Sequence, residues 1–215
     1  PRPAPAPSPA APRVVAGVAP RSRPGRIDIV AVAVSTGGPN ALAEVFPSFP
    51  KEMHCPIVIT QHMPPMFTRL LAERLTAKSN LNVVEAADGM DLDPGKAYIA
   101  PGDYHMRLER RGASIVIKLD HGPQENSCRP AADVMFRSVA EIYGGACLAV
   151  ILTGMGQDGL AGARILKEAG ANVLAQDERS SVVWGMPGHV VQAGLADEVV
   201  ALDGVAASIM RFVGR

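Results

Sequence analysis

The 215-residue sequence predicts an α/β protein with a doubly wound, mainly parallel sheet, helices on both faces and an antiparallel edge hairpin. Three observations lead there. Apolar runs at 27–34 (I-D-I-V-A-V-A-V), 56–61 (P-I-V-I-T-Q) and 146–152 (A-C-L-A-V-I-L) read as strands buried on both faces. Stretches of helical spacing alternate with them. Gly and Pro turn signals cut the middle of the chain into short strands. With 47% apolar and 20% charged residues, the composition fits one ordinary globular core.

Residues 1–25 hold eight prolines, six alanines, four arginines and no acid. Such a stretch favours extended spacing and cannot bury a core. It reads as an interdomain linker that has lost its upstream partner, with the folded domain over 26–215. The first strand, 27–34, runs abruptly into Ser35-Thr36-Gly37-Gly38-Pro39. Proline suits the first helical turn, so a short helix is expected over 39–46. A strand at 56–61 ends at His62. The amphipathic pattern of Phe67, Leu70, Leu71 and Leu75 predicts a helix over 66–78, and 82–86 reads as a third strand. Segments 96–100, 105–110 and 114–119, separated by Pro-Gly-Asp and Arg-Gly, read as an antiparallel hairpin or meander at the sheet edge. A helix over 130–143, a strand over 146–152 and a helix over 160–169 follow. A strand at 172–175, short helix at 188–193, strand at 198–201 and closing helix at 205–213 complete the alternation.

The formal net charge is zero, which argues against general nucleic-acid binding. No run approaches the ~20 apolar residues of a membrane span, and the N-terminus lacks a signal-peptide core. Cys55, Cys128 and Cys147 are scattered without C-x-x-C spacing, as expected of reduced thiols in a cytosolic protein.

Ser35, His62 and Asp158 each follow a buried strand within a few residues, so all three fall on one rim of a parallel sheet, where open α/β sheets bind ligands. The residue types permit a Ser-His-Asp triad: histidine takes the hydroxyl proton and a carboxylate fixes its tautomer. The chain order differs from that of α/β-hydrolases, and no G-x-S-x-G elbow is present. Blander roles compete: Ser35 as a helix cap, His62 as a structural histidine, Asp158 as a turn residue. Gly154, Gly156 and Gly159 free backbone N–H groups that suit an oxyanion and suit a phosphate equally well. Neither glycine-rich loop fits the P-loop or dinucleotide fingerprints. His54, His105, His121 and His189 read as non-catalytic, His189 as a residue able to line a cleft, and Trp184 as core or rim packing.

Six segments together carry a resemblance: V-S-T-G-G-P at 34–39, I-V-I-T-Q-H-M-P at 57–64, Y-I-A-P-G-D-Y-H-M at 98–106, S-C-R-P-A-A-D-V-M-F at 127–136, I-L-T-G-M-G-Q-D-G at 151–159 and M-P-G at 186–188. Over about residues 27–210 the chain resembles the catalytic domain of the chemotaxis receptor methylesterases, the CheB family. The resemblance implies Ser35 as nucleophile, His62 as base and Asp158 as its orienting carboxylate, with the backbone at Met155 and Thr36 holding the oxyanion. It implies hydrolysis of glutamate γ-methyl esters, and deamidation of glutamines, on the cytoplasmic part of methylated chemoreceptors. It implies no cofactor and no metal, no nucleic-acid partner and no direct membrane insertion. It also implies a cytoplasmic enzyme with an upstream receiver domain, for which the 26 residues before the first strand leave no room. Alanines at 131 and 132, and Val34 before the serine, depart from the usual pattern without touching the triad. The rivals are a non-catalytic phosphate- or nucleotide-binding module, and an esterase of the same fold in a non-chemotactic signalling system.

Overall fold

The computed structural model describes residues 25–214. The expected linker thus lies, but for its last residue, outside the described residues. Strand β1 (Ile29–Val34) is buried along its whole length, as its unbroken apolar sequence requires. Its side chains alternate between two cores. Val30, Val32 and Val34 face one with α1 (Gly38–Val45), α2 (Phe67–Lys78) and α6 (Val205–Val213). Ile29, Ala31 and Ala33 face the other with α3 (Ala132–Tyr143), α4 (Leu160–Glu168) and α5 (Met186–Gln192). The small Ala31 and Ala33 leave room on that side for Met135 and Phe136 of α3 to pack against the sheet.

The sheet has seven strands, all parallel. Its order is β3 (Asn82–Glu85), β4 (Lys96–Ile99), β2 (Ile57–Gln61), β1, β7 (Cys147–Ile151), β8 (Asn172–Gln176) and β9 (Glu198–Val200). The predicted fold class therefore holds. Segment 96–100 is a correction: it joins the parallel sheet between β3 and β2 instead of an antiparallel meander. The flanking Pro-Gly turns resemble hairpin signals, but the apolar face of Ala97, Tyr98 and Ile99 is buried on both sides. The hairpin is β5 (His105–Arg111) with β6 (Ser114–Asp120). It forms its own two-stranded sheet, tied by a bridge between Asp91 and Val116 and packed on α3.

From β1 the chain winds one way to β2 and returns later on the other side to β7. The carboxyl ends of β2, β1 and β7 thus adjoin at a topological switch point, which opens a crevice between the connections. Among the described residues no helix is long and apolar enough to cross a membrane.

Candidate active site

Ser35 follows the last residue of β1. Its N–H donates to Thr153 O at 2.9 Å, and its carbonyl accepts from Gly38 N at 2.8 Å. The turn into α1 passes through Gly37 in the left-handed region (φ 84°), where a Cβ would also meet Val182 at 2.7 Å. One step along the neighbouring strand, His62 N donates to Val34 O at 3.2 Å, so Ser35 and His62 stand side by side at adjacent strand ends. Gln61 staples them: its Nε2 donates to Ser35 O and to His62 O, each at 3.0 Å.

His62 Nε2 lies 2.7 Å from Asp158 Oδ2. A carboxylate only accepts, so Nε2 carries a proton, and in the neutral ring Nδ1 keeps the lone pair. The His62 side chain is 13% exposed and that of Asp158 1%. Asp158 is held on every side. Oδ2 also accepts from Ala132 N at 2.6 Å, and Oδ1 accepts from Asp133 N, Gly159 N and Asn126 Nδ2, each at 3.0 Å. Ala132 and Asp133 open α3, so the carboxylate sits on the positive end of that helix. Burial alone would raise its pKa, but the bonds from His62, Ala132 and Asp133 outweigh it and hold the carboxyl below its ordinary value. Burial by itself would lower His62. The hydrogen bond to Asp158, then Cys128, overcome this and raise it to about 9.

The other face of the imidazole meets Cys128, whose Sγ is 3.6 Å from Nδ1. Cys128 closes a two-residue turn from Glu125, with Asn126 (φ 52°) and Ser127 (φ 60°) both left-handed. Arg137 of α3 clamps Glu125 with two bonds of 2.6 and 2.5 Å. Asn126 Nδ2 bridges Asp158 and Asp133, and burial raises the pKa of Asp133. Beside this turn His62, Met63, Asp103, Cys128 and Arg129 line an open cleft of about 510 Å³. Arg129 braces its wall by bonding Asp103 at 2.6 and 3.0 Å.

Thr36 follows Ser35 in the chain, and Met155 follows Gly154, the residue packed against Ser35. Thr153 Oγ1 donates to Thr36 O at 2.9 Å and so fixes that peptide. Neither the Thr36 nor the Met155 N–H finds an acceptor among the described residues, and the Met155 residue is 74% exposed. Gly154 backs directly onto Ser35, where a Cβ would stand 2.7 Å from the serine Cβ.

The structure thus joins His62 to Asp158 and sets Ser35 beside them, though the Ser35 hydroxyl makes no hydrogen bond among the described residues. His105 opens β5 of the hairpin and is buried there: Nε2 donates to Pro123 O and Nδ1 accepts from Ala131 N, which anchors the approach to α3. His189 is exposed and bonds Gly185 O and Gly156 O. The sequence reading missed Gln61, Asn126, Cys128 and Asp133 as parts of the site. The one local signal was Gln61, an amide ending an apolar strand.

A doubly wound α/β sheet with a switch-point crevice hosts many functions, so the family is read from the sequence it carries. The CheB methylesterase family model matches residues 30–209, and the chain belongs to that family. It is 53% identical over 189 residues to a protein-glutamate methylesterase/protein-glutamine glutaminase of Trichodesmium erythraeum, covering 88% of this chain and 54% of that protein. A protein of the same description from Caulobacter vibrioides is 48% identical over 200 residues, covering 93% of this chain and 58% of that one. The crystal structure of the Thermotoga maritima CheB methylesterase catalytic domain superposes with a TM-score of 0.85 at 43% identity, covering 87% of this chain and 99% of that domain. The chain thus spans about half the length of the curated relatives it matches.

Proposed function

We propose that this domain is a protein-glutamate methylesterase, and a glutaminase by the same chemistry, acting on the cytoplasmic part of methylated chemoreceptors in chemotactic adaptation. The observation that carries the reading is the 2.7 Å bond between His62 and Asp158 at the strand end beside Ser35. With Nε2–H held by Asp158, Nδ1 is the basic nitrogen and takes the Ser35 proton. The Ser35 oxygen attacks the γ-carbonyl of the glutamyl ester, and the Met155 and Thr36 N–H groups receive the oxyanion. Imidazolium then protonates the departing methanol, or ammonia from glutamine. Water, deprotonated at Nδ1, releases the glutamate. No cofactor enters these steps.

The phosphate-binding rival fits the electrostatics poorly. Asp158 already occupies the amides opening α3 and the Gly159 N–H, while Asp133 holds the Gly162 N–H at the start of α4. A phosphate there would meet two buried carboxyl groups. The curated relatives are about twice as long, so they carry further chain; an upstream receiver domain as partner and a cytoplasmic setting belong to this proposal. The test is methanol release from methylated receptor fragments. Ser35→Ala is expected to slow it by about 10⁴-fold or more. Undiminished turnover in that variant would reject the mechanism.

A further inference from the structure

We infer that His62 Nδ1 and Cys128 Sγ form an inhibitory binding site for Zn²⁺ in the cleft. The argument begins with distance. Zinc bonds histidine nitrogen at about 2.1 Å and thiolate sulfur at about 2.3 Å, and a tetrahedral angle between them sets the two atoms about 3.6 Å apart. The observed Nδ1···Sγ separation is 3.6 Å. The pair therefore has the bite of two adjacent zinc ligands without moving the backbone.

Four further features suit a metal. The opposite ring nitrogen donates to Asp158, giving the carboxylate–histidine arrangement that fixes the tautomer and raises ligand basicity. His62, Cys128 and Asp158 offer donor atoms within 4.8 Å of one another, with Asp158 behind the ring as orienting group. Cys128 is held firmly, since its two-residue turn is clamped by Glu125 on Arg137 and by Asn126 on Asp158 and Asp133. Both residues line the 510 Å³ cleft, from which water can fill the remaining coordination positions. The other thiols cannot compete. Cys55 and Cys147 are buried, and burial pushes Cys55 up to about 12 and Cys147 higher.

Binding replaces the Cys128 thiol proton and, below the raised pKa of His62, the Nδ1 proton as well: the S–H and N–H bonds break, the protons go to solvent, and S–Zn and N–Zn bonds form with loss of two metal-bound waters. The lone pair on Nδ1 is then engaged, so His62 cannot take a proton from Ser35. Zinc and cobalt(II) suit this nitrogen–sulfur set, whereas Mg²⁺ and Ca²⁺ prefer oxygen. The inhibitory consequence rests on the proposed hydrolase reading; the metal site does not.

The test is a Co²⁺ titration of the reduced protein, free of chelator. One equivalent should give a near-ultraviolet thiolate-to-cobalt band that Zn²⁺ abolishes and Mg²⁺ does not. Cys128→Ser should lose the band, and Asp158→Asn should weaken binding about 10- to 100-fold. Zn²⁺ should also protect wild-type Cys128 from alkylation, a readout that needs no variant. On a small methyl ester, the inhibition constant for Zn²⁺ should rise at least about tenfold in Cys128→Ser, each protein scaled to its own metal-free rate. No cobalt–sulfur band in the wild type, a band that survives Cys128→Ser, or unprotected Cys128 would overturn the site. A metal site without inhibition would overturn the inhibitory role alone.

Discussion

Asp158→Asn separates the electrostatic role of the carboxylate from its shape. In the native site the carboxylate receives hydrogen bonds from His62, Ala132, Asp133, Gly159 and Asn126. Asparagine accepts on one atom only. With its amino group in the Oδ2 position, it faces Ala132 N and forces His62 to carry its proton on Nδ1, the nitrogen that takes the Ser35 proton in the proposed mechanism. A wrong tautomer of this kind costs about 10⁴-fold in turnover. The pH profile gives a second reading. In the proposed mechanism His62 is a base only when neutral, so kcat/KM on a small methyl ester should rise as pH passes its pKa. In the wild type that limb should lie well above the ordinary 6.5, toward about 9, because Asp158 and Cys128 overcome the effect of burial. In Asp158→Asn the raising bond and charge are lost while burial remains, so the limb should move to lower pH. Stability follows the same sign. A folded-state pKa above the unfolded one contributes fully below about 6.5 and is lost as pH climbs through about 9. That raise corresponds to about 3 kcal/mol at most, read as denaturation midpoints across this window. The variant should be less stable at pH 6.5 and show a flatter dependence. A limb unmoved in Asp158→Asn, with turnover within tenfold of wild type, would refute the reasoning.

Gly154→Ala should cut ester hydrolysis by about 10²-fold, because its Cβ would stand 2.7 Å from that of Ser35 and the serine must shift; steady-state kinetics on the small ester checks this. Gln61→Met keeps the volume but leaves the part-buried His62 carbonyl without its Gln61 partner, and should lower stability by about 1 kcal/mol in urea melts. The start of α2 presents Met66, Phe67 and Leu70, all more than half exposed, and the exposed Arg69 beside the His62 loop. Leu70→Ser and Arg69→Ala should slow hydrolysis of methylated receptor while sparing the small ester; equal effects on both substrates would reject docking there.

What could be read in the sequence, and what could not, divides along a physical line. Ser35 and His62 could be placed because they directly follow buried apolar strands, and Asp158 because its loop leaves a third such strand, β7, before α4 begins. Parallel strands joined by helical crossovers must put those ends on one rim, whatever the side chains do there. Segment 96–100 was misplaced because its flanking turn residues are local signals, whereas its pairing with β2 and β3 is set by partners found through the sheet. Cys128 and Asn126 carried no usable signal. They lie 66 and 32 positions from His62 and Asp158, on a turn whose place is fixed by Arg137 on another element. A residue on a strand end inherits its position from the sheet, but one on a loop inherits it from whatever anchors the loop. Here the anchor is a charge clamp onto α3, the helix whose first amides hold Asp158. The carboxylate, its histidine and the cysteine on the far side of the ring are thus positioned by one helix and two strand ends. A disturbance at Glu125 or Arg137 should therefore reach Nδ1 of His62 without touching Ser35.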